Sequence, residues 1–265
     1  MNNASKITFV ALITMAFSSV LFGQEGIRET VFITGSNRGI GFELVKVFQE
    51  EGWNVIATTR NPDTSYDLNA FAKSHNNVFV ERLDVTSASD LAQLSDKYMG
   101  VPIDVIINNA GIYGDRALQE WGSLDSILFH QVMAVNVLAP MLIAETFIEN
   151  VRASNHKKII SITSGAGSVS IESVSNGGIF YSVSKTALNM AIRKLASEPD
   201  NAEILFGLVA PGLTETDMLR VARPELLSRA HSPEESARGI FDVVTNLDSN
   251  YDGSPLNYDG SKINW

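Results

Sequence analysis

Short apolar runs alternate with amphipathic segments along most of the chain. Six runs rich in Val, Ile and Phe are predicted to be strands, at 30–34, 54–59, 78–85, 105–110, 158–163 and 203–210. Nearly continuous apolar runs of this kind suit strands that are covered on both faces, as in a parallel sheet. Helical periodicity marks the intervening segments, near 39–51, 88–98, 124–151, 181–197 and 233–247.

This alternation predicts an α/β fold in a single, doubly wound Rossmann-type domain with helices on both faces of the sheet. We expect a mostly parallel sheet of seven strands, six of which the pattern identifies. The stretch 27–265 contains no internal repeat, low-complexity tract or Gly/Ser linker. One domain over 27–265 is therefore the simplest organisation.

The segment 1–26 differs from the rest of the chain. It has one lysine, then an apolar run over 7–22, then a polar break. That run is short for a membrane span but typical of the apolar region of a signal peptide. Cleavage after Gly23 would leave the large Leu21 at the −3 position, so a short uncleaved anchor stays open. An extra amphipathic helix on a cytoplasmic protein, or a start codon placed too far upstream, would also explain the segment. Export or membrane anchoring is the favoured interpretation.

The composition argues against several classes of function. The chain has 265 residues with 20 Lys and Arg against 30 Asp and Glu, a net charge of −10. An acidic chain without a basic run is a poor candidate for nucleic-acid binding. The absence of cysteine excludes disulfides and thiol nucleophiles. The four scattered histidines lack the spacing of metal ligands, so no metal site is expected.

The first strand leads directly into the glycine-rich stretch "TGSNRGIGFEL". Gly35, Gly39 and Gly41 fall at the turn from this strand to a helix. Glycine there permits positive φ and close approach of a pyrophosphate, while the helix N-terminus supplies N–H donors. The position after the first strand of a βαβ pattern makes this a predicted dinucleotide site.

Two arginines point to the kind of dinucleotide. The second strand ends at "ATTRN", where NAD-specific folds commonly place an acidic residue, and this chain has Arg60 instead. Together with Arg38 in the glycine loop, it could bind an adenosine 2′-phosphate. The alternative is that both are solvated loop arginines. We expect NADP(H) rather than NAD(H).

Several separate motifs occur together in order: "TGSNRGIG" at 34–41, "NNAG" at 108–111, Asn136, Ser164 and "YSVSK" at 181–185. In this set the chain resembles the short-chain dehydrogenase/reductase family over 29–265. The ending "YDGSPLNYDGSKINW" and the long interval between Ser164 and Tyr181 resemble the branch that contains C-factor and the sniffer-type carbonyl reductases.

The pair Tyr181 and Lys185 carries the predicted chemistry. Residues four apart share one face of a helix, so the lysine charge is expected to lower the tyrosine pKa from its usual value of about 10. The resemblance implies that Tyr181 exchanges the proton with the substrate and that Lys185 also binds the nicotinamide ribose. It implies that Ser164 binds the substrate oxygen, with Thr163 as the alternative hydroxyl. Asn136 is implied to relay protons through water, the alternative being a structural bond to the backbone.

Position and resemblance together give a set of residues expected to contact the cofactor. The set is Gly35, Asn37, Arg38, Gly39, Ile40, Gly41, Arg60, Asp84, Val85, Asn109, Ala110, Gly111, Tyr181, Lys185, Pro211, Gly212, Thr214 and Thr216. Which of the two threonines makes the contact is left open. The segments 213–232 and 167–180 are expected to enclose the substrate, and nothing in them names it.

The leading hypothesis is an NADPH-dependent carbonyl reductase acting on a small-molecule ketone or aldehyde, reversible to an alcohol dehydrogenase. The alternative is a nucleotide-binding signalling protein of the C-factor type in which turnover is secondary. The resemblance also implies a homodimer or homotetramer formed through the helices that carry Asn136 and Tyr181. Membrane association is expected only through 1–26.

Overall fold

The computed structural model describes residues 28–170 and 178–264. The predicted signal or anchor at 1–26 lies outside the described residues. So does 171–177, the middle of one of the two segments expected to enclose the substrate.

Seven strands form one sheet in the order β3-β2-β1-β4-β5-β6-β7, and every neighbouring pair is parallel. The predicted Rossmann-type fold is confirmed, with parallel pairing throughout. The seventh strand is only two residues long, which is why no apolar pattern reveals it. The strands are β1 Thr30–Ile33, β2 Asn54–Thr59, β3 Val78–Arg82, β4 Val105–Asn108, β5 Lys158–Ile162, β6 Leu205–Ala210 and β7 Leu256–Asn257.

The helices that connect these strands are α1 Gly39–Glu50, α2 Tyr66–Ser74, α3 Ala88–Lys97, α4 Ser126–Thr146, α5 Ile148–Arg152, α6 Ile179–Ala196, α7 Asp217–Ala222 and α8 Pro233–Asn246. The sequence pattern leaves out α2, in which only Leu68 is buried, and the short α7. The single helix predicted over 124–151 is wrong in detail. It contains a π-helical stretch at Ala134–Leu138 and ends before Phe147, after which α5 begins.

The strands are apolar throughout because each face of the sheet packs against helices. Phe32 points to the face covered by α4, where its ring centroid lies 4.9 Å from that of Phe147. Its neighbours Val31 and Ile33 pack with Leu44 of α1 in the core on the other face. Alternating side chains therefore enter two different cores.

By length and composition α4 would suit a membrane span, with a mean hydropathy of 1.8. Its residues Ala139, Ile143 and Ala144 are buried in the core beside the sheet, together with side chains from α3 and α6. Packing within the domain therefore accounts for part of the apolar character of this helix, while Leu138 and Leu142 remain exposed.

The strand order reverses between β1 and β4. Strands β2 and β3 lie on one side of β1, whereas β4 and the strands after it lie on the other side. Loops at the carboxyl ends of these two strands diverge and leave a crevice, the usual ligand position in an open α/β sheet.

Candidate active site

A groove runs along the carboxyl ends of the strands, from the loop after β2 to the N-terminal half of α6. All of the residues expected to contact the cofactor line it, except Gly212 and Thr214. Asn61 and Thr64 after β2, and Glu215, Asp217 and Arg220 after β6, also line the groove and were missed by the sequence analysis.

The glycine loop has the backbone geometry that a diphosphate requires. Gly35 and Gly39 have φ of 67° and 54°, in the left-handed region that favours glycine. A Cβ on Gly41 would lie 2.2 Å from the Gly35 carbonyl oxygen, so no side chain fits there. Helix α1 begins at Gly39 with no capping side chain and no acidic residue in its first turn. Its N-terminal N–H groups thus fit an anionic diphosphate in the groove.

Asn109 holds the glycine loop in place. Its Nδ2 donates to the Thr34 and Gly35 carbonyl oxygens at 2.9 and 3.2 Å. The Thr34 hydroxyl in turn accepts from the backbone N–H groups of Asn109 and Ala110. The ends of β1 and β4 are thereby tied together beneath the groove.

The two arginines lie toward the end of the groove formed by the loop after β2. Arg60 follows the last residue of β2 and is exposed. The Nη1 of Arg38 lies 3.1 Å from Oδ2 of Asp217, and both side chains are largely exposed. Nearby, Asp84 Oδ1 accepts from the N–H and the hydroxyl of Thr86, which fixes the turn after β3. This end of the groove presents guanidinium groups suited to a phosphate monoester.

Tyr181 and Lys185 line the opposite end, whereas Ser164 and Asn136 lie next to it and do not line the groove. The Ser164 side chain lies beside Tyr181, where it acts to lower the pKa of the phenol. The Nζ of the buried Lys185 donates to the Ile162 carbonyl oxygen at 2.8 Å and lies 5.7 Å from the Tyr181 ring centroid. Burial lowers the pKa of Lys185 to about 8. The alternative hydroxyl, that of Thr163, is buried and donates to Asn189 Oδ1 at 2.5 Å.

The expected lowering of the Tyr181 pKa is wrong for this structure. Burial raises the pKa of Tyr181, the Ser164 side chain opposes this, and the neighbouring Tyr113 phenol adds to the rise. Desolvation of the phenolate therefore outweighs the stabilisation expected from Lys185, whose ammonium is bonded to a backbone carbonyl.

Asn136 makes backbone bonds of the kind expected if its role is structural. Its Oδ1 accepts from Ile112 N at 2.9 Å, and its Nδ2 donates to Ile112 O at 2.8 Å and to the Ser184 hydroxyl at 3.0 Å. A Cβ on Gly111 would lie 3.4 Å from Asn136 Oδ1 and 3.7 Å from Lys185 Nζ. Asn136 thus fixes the loop after β4 close to Lys185.

Gly212 and Thr214 do not line the groove, so their predicted contact is not supported by the geometry. The Thr214 hydroxyl is buried and donates to the Pro211 carbonyl oxygen at 2.9 Å. Gly212 has φ of 74°, and a Cβ on it would lie 2.5 Å from His231 Cε1. Both residues shape the turn that begins the segment 213–232. Of the two threonines, only Thr216 lines the groove, where its hydroxyl also caps α7.

Two residues beside Tyr181 were missed by the sequence analysis. The ring of Tyr113 is stacked on that of Tyr181, with centroids 4.9 Å apart and planes inclined by 29°. The side chain of Gln119 accepts a hydrogen bond from Tyr181 N at 3.1 Å. Neither residue belongs to a motif, and the contacts join segments more than sixty residues apart, so no local signal could have found them.

The comparisons with known proteins agree with this geometry. The short chain dehydrogenase family matches residues 29–226. Two uncharacterized oxidoreductases of Schizosaccharomyces pombe are 31% and 32% identical to this chain over 253 and 252 residues. These alignments cover 85% and 87% of this chain and 96% and 95% of the relatives.

Solved structures extend the similarity across the whole domain. The NADPH-bound carbonyl reductase from chicken fatty liver is 28% identical with a TM-score of 0.78. A short-chain dehydrogenase/reductase from Burkholderia multivorans with bound NADP is 27% identical with a TM-score of 0.76. Each match covers 90% of this chain and 100% of the other. The carbonyl reductase Sniffer of Drosophila melanogaster, with a TM-score of 0.80 at 24% identity, has the same fold. The chain therefore belongs to the short-chain dehydrogenase/reductase family of oxidoreductases.

Proposed function

We propose that this chain is an NADPH-dependent carbonyl reductase, which converts a ketone or aldehyde to an alcohol and can run in reverse. The observation that carries the proposal is the placement of Tyr181 and the buried Lys185 together at one end of a groove whose other end holds Arg38 and Arg60. A bound reduced nicotinamide would supply the hydride to the carbonyl carbon.

In this proposal the protein supplies the proton. The Ser164 hydroxyl binds the carbonyl oxygen and stabilises its developing negative charge. Tyr181 donates its O–H proton to that oxygen, which completes the alcohol. The Lys185 ammonium, 5.7 Å from the ring centroid, favours the phenolate that is left. The water-mediated relay through Asn136 stays a prediction, because the described bonds of its side chain go to Ile112 and Ser184.

The preference for NADP(H) is supported by charge. Arg38 and Arg60 would bind a 2′-phosphate, and the first turn of α1 would bind the diphosphate. Two solved relatives, from chicken liver and from Burkholderia multivorans, are described with NADPH or NADP bound.

A homodimer through α4 and α6 is also part of the proposal. Leu138 and Leu142 on α4 and Val183 and Met190 on α6 are exposed apolar side chains, with exposures between 37% and 54%. Removal of such side chains from water would favour pairing of these helices with a second copy.

The test is oxidation of NADPH by the purified chain against a panel of aldehydes, ketones and quinones, with NADH in parallel. The variant Arg60→Ala is expected to raise KM for NADPH by about 10-fold and to leave KM for NADH unchanged. Arg238→Ala serves as the control, because Arg238 is a half-buried arginine of α8 that does not line the groove. If wild type uses NADPH and NADH equally well, and Arg60→Ala leaves KM for NADPH unchanged, the preference for NADP(H) is overturned. Binding of NADPH without turnover of any carbonyl would favour the signalling alternative.

A further inference from the structure

The amide of Gln119 lies between three segments around Tyr181. It is fully buried, at the end of the 3₁₀ turn Arg116–Gln119. Its Nε2 donates to the carbonyl oxygens of Tyr113 and Asp115 at 2.8 and 3.2 Å, and its Oε1 accepts from Tyr181 N at 3.1 Å. Both donor hydrogens and the acceptor are therefore in use, which is what a buried amide requires.

Helix α6 has no cap of its own, and Gln119 supplies one. The N-cap residue is Gly178, with φ of 71° and no side chain to accept from the first turn. Tyr181 is the third residue of the helix, a position whose N–H has no partner within the helix and is usually bound by the N-cap side chain. Here the acceptor comes from a residue 62 positions earlier in the chain.

The glycine at the cap position is required by a second tyrosine. A Cβ on Gly178 would lie 2.2 Å from the Tyr113 hydroxyl oxygen. The Tyr113 carbonyl is bound by Gln119, and its ring is stacked on Tyr181 at 4.9 Å. One amide thus fixes both the backbone of Tyr181 and the ring packed against its phenol.

We propose that Gln119 is a positioning residue that sets the location of the Tyr181 hydroxyl relative to Ser164. It contacts no reacting atom and acts through Tyr181 and Tyr113. The role in turnover rests on the proposed function, whereas the clamp itself is a property of the fold. Displacement of a reacting group by about 1 Å can cost about 100-fold in rate. Loss of the Gln119 hydrogen bonds that hold Tyr181 is therefore expected to lower kcat strongly.

The experiment compares three variants of the full chain. Gln119→Met removes all three hydrogen bonds at similar side-chain length, and Gln119→Glu retains the acceptor for Tyr181 N. Asn150→Leu is the matched control, because Asn150 is a second buried amide whose Nδ2 donates to two loop carbonyls, those of Tyr98 and Val101, at 2.7 and 2.8 Å. The measurements are hydrogen exchange at the Tyr181 amide, resolved by fragmentation mass spectrometry, and kcat and KM for NADPH and for the best carbonyl of the panel.

In Gln119→Met we expect Tyr181 amide exchange to accelerate by at least about 10-fold. We expect kcat to fall by about 10- to 100-fold, with KM for NADPH within about 3-fold of wild type. Gln119→Glu should keep slow exchange and recover part of kcat. Asn150→Leu should lower Tm and leave both measurements unchanged.

Two results would overturn the proposal. Unchanged exchange at Tyr181 in Gln119→Met would show that Gln119 does not hold the helix terminus. Faster exchange with a kcat no lower than that of Asn150→Leu would show that the clamp does not position the donor. If wild type turns over no carbonyl, the proposed function fails, and hydrogen exchange still decides whether Gln119 fixes Tyr181.

Discussion

Two buried lysines at opposite ends of β5 show what separates a structural lysine from a candidate catalytic one. Lys158 begins the strand, and its Nζ donates to the carbonyl oxygens of Val244 and Thr245 in the last turn of α8, at 2.8 and 3.0 Å. Lys185 binds the carbonyl of Ile162, which ends the strand, at 2.8 Å. Their exposures are 6% and 5%, and burial lowers the pKa of both.

Burial, a backbone carbonyl partner and a lowered pKa therefore do not distinguish the two sites. The difference lies in the surroundings. Lys185 lines the groove and sits beside a phenol, whereas Lys158 closes a helix C-terminus, where a cation interacts favourably with the helix dipole. A perturbed pKa indicates a functional site only when an open groove and a reactive neighbour accompany it.

The largest effect is expected at Tyr181, which lies beside Lys185 and not beside Lys158. Replacement by Phe removes the proton donor and keeps the stacked ring, so kcat for carbonyl reduction is expected to fall by about 1,000-fold with little change in NADPH affinity. Steady-state turnover and fluorescence titration with NADPH measure the two effects. Turnover comparable to wild type would remove Tyr181 from the mechanism.

A smaller loss is expected at Ser164. Ser164→Ala removes one hydrogen-bond donor to the developing oxyanion and should reduce kcat by about 100-fold. The control is Thr163→Val, because the Thr163 hydroxyl is buried and already donates to Asn189 Oδ1. If the Thr163 variant loses more turnover than the Ser164 variant at equal folded fraction, the assignment of the two hydroxyls is reversed.

The dependence of the free energy of unfolding on pH is expected to report the lowered pKa of Lys185. Between about pH 8 and pH 10.5 the unfolded chain keeps a proton on Lys185 that the folded chain has released. The unfolded state then binds more protons, so the free energy of unfolding rises with pH, by roughly 3 kcal/mol at most. Urea unfolding of wild type and Lys185→Met across this interval isolates the effect, since other titrating groups are common to both. If the difference in the free energy of unfolding between wild type and Lys185→Met stays constant across this interval, the pKa of Lys185 is not lowered.

The cofactor end of the site could be predicted from sequence because its constraints are local. Glycines at fixed offsets after a strand meet a backbone requirement that few other residues satisfy. Gly35, Gly39 and Gly41 accordingly line the groove. Gly212, predicted from its position after the sixth strand and from the resemblance, does not line the groove, and its positive φ serves a turn packed against His231.

The reactive end is predictable only in part. The spacing of Tyr181 and Lys185 indicates a shared helix face, but the balance between desolvation and charge that raises the Tyr181 pKa depends on three-dimensional packing. Gln119 and Tyr113 reach Tyr181 through contacts between distant segments, and no sequence period encodes such contacts. The short β7 escaped detection for a related reason, since two residues cannot display an alternation.

The most direct test compares Lys185→Met with Lys158→Met, measuring kcat for NADPH-dependent carbonyl reduction together with Tm. The first variant leaves the Ile162 carbonyl without its donor and is expected to lose about 100-fold in kcat. The second leaves two helix carbonyls without their donor, which costs about 1–3 kcal/mol and several degrees of Tm, with kcat unchanged. Equal losses of turnover in both variants, or wild type that reduces no carbonyl, would contradict the assignment of the chemistry to the Lys185 end.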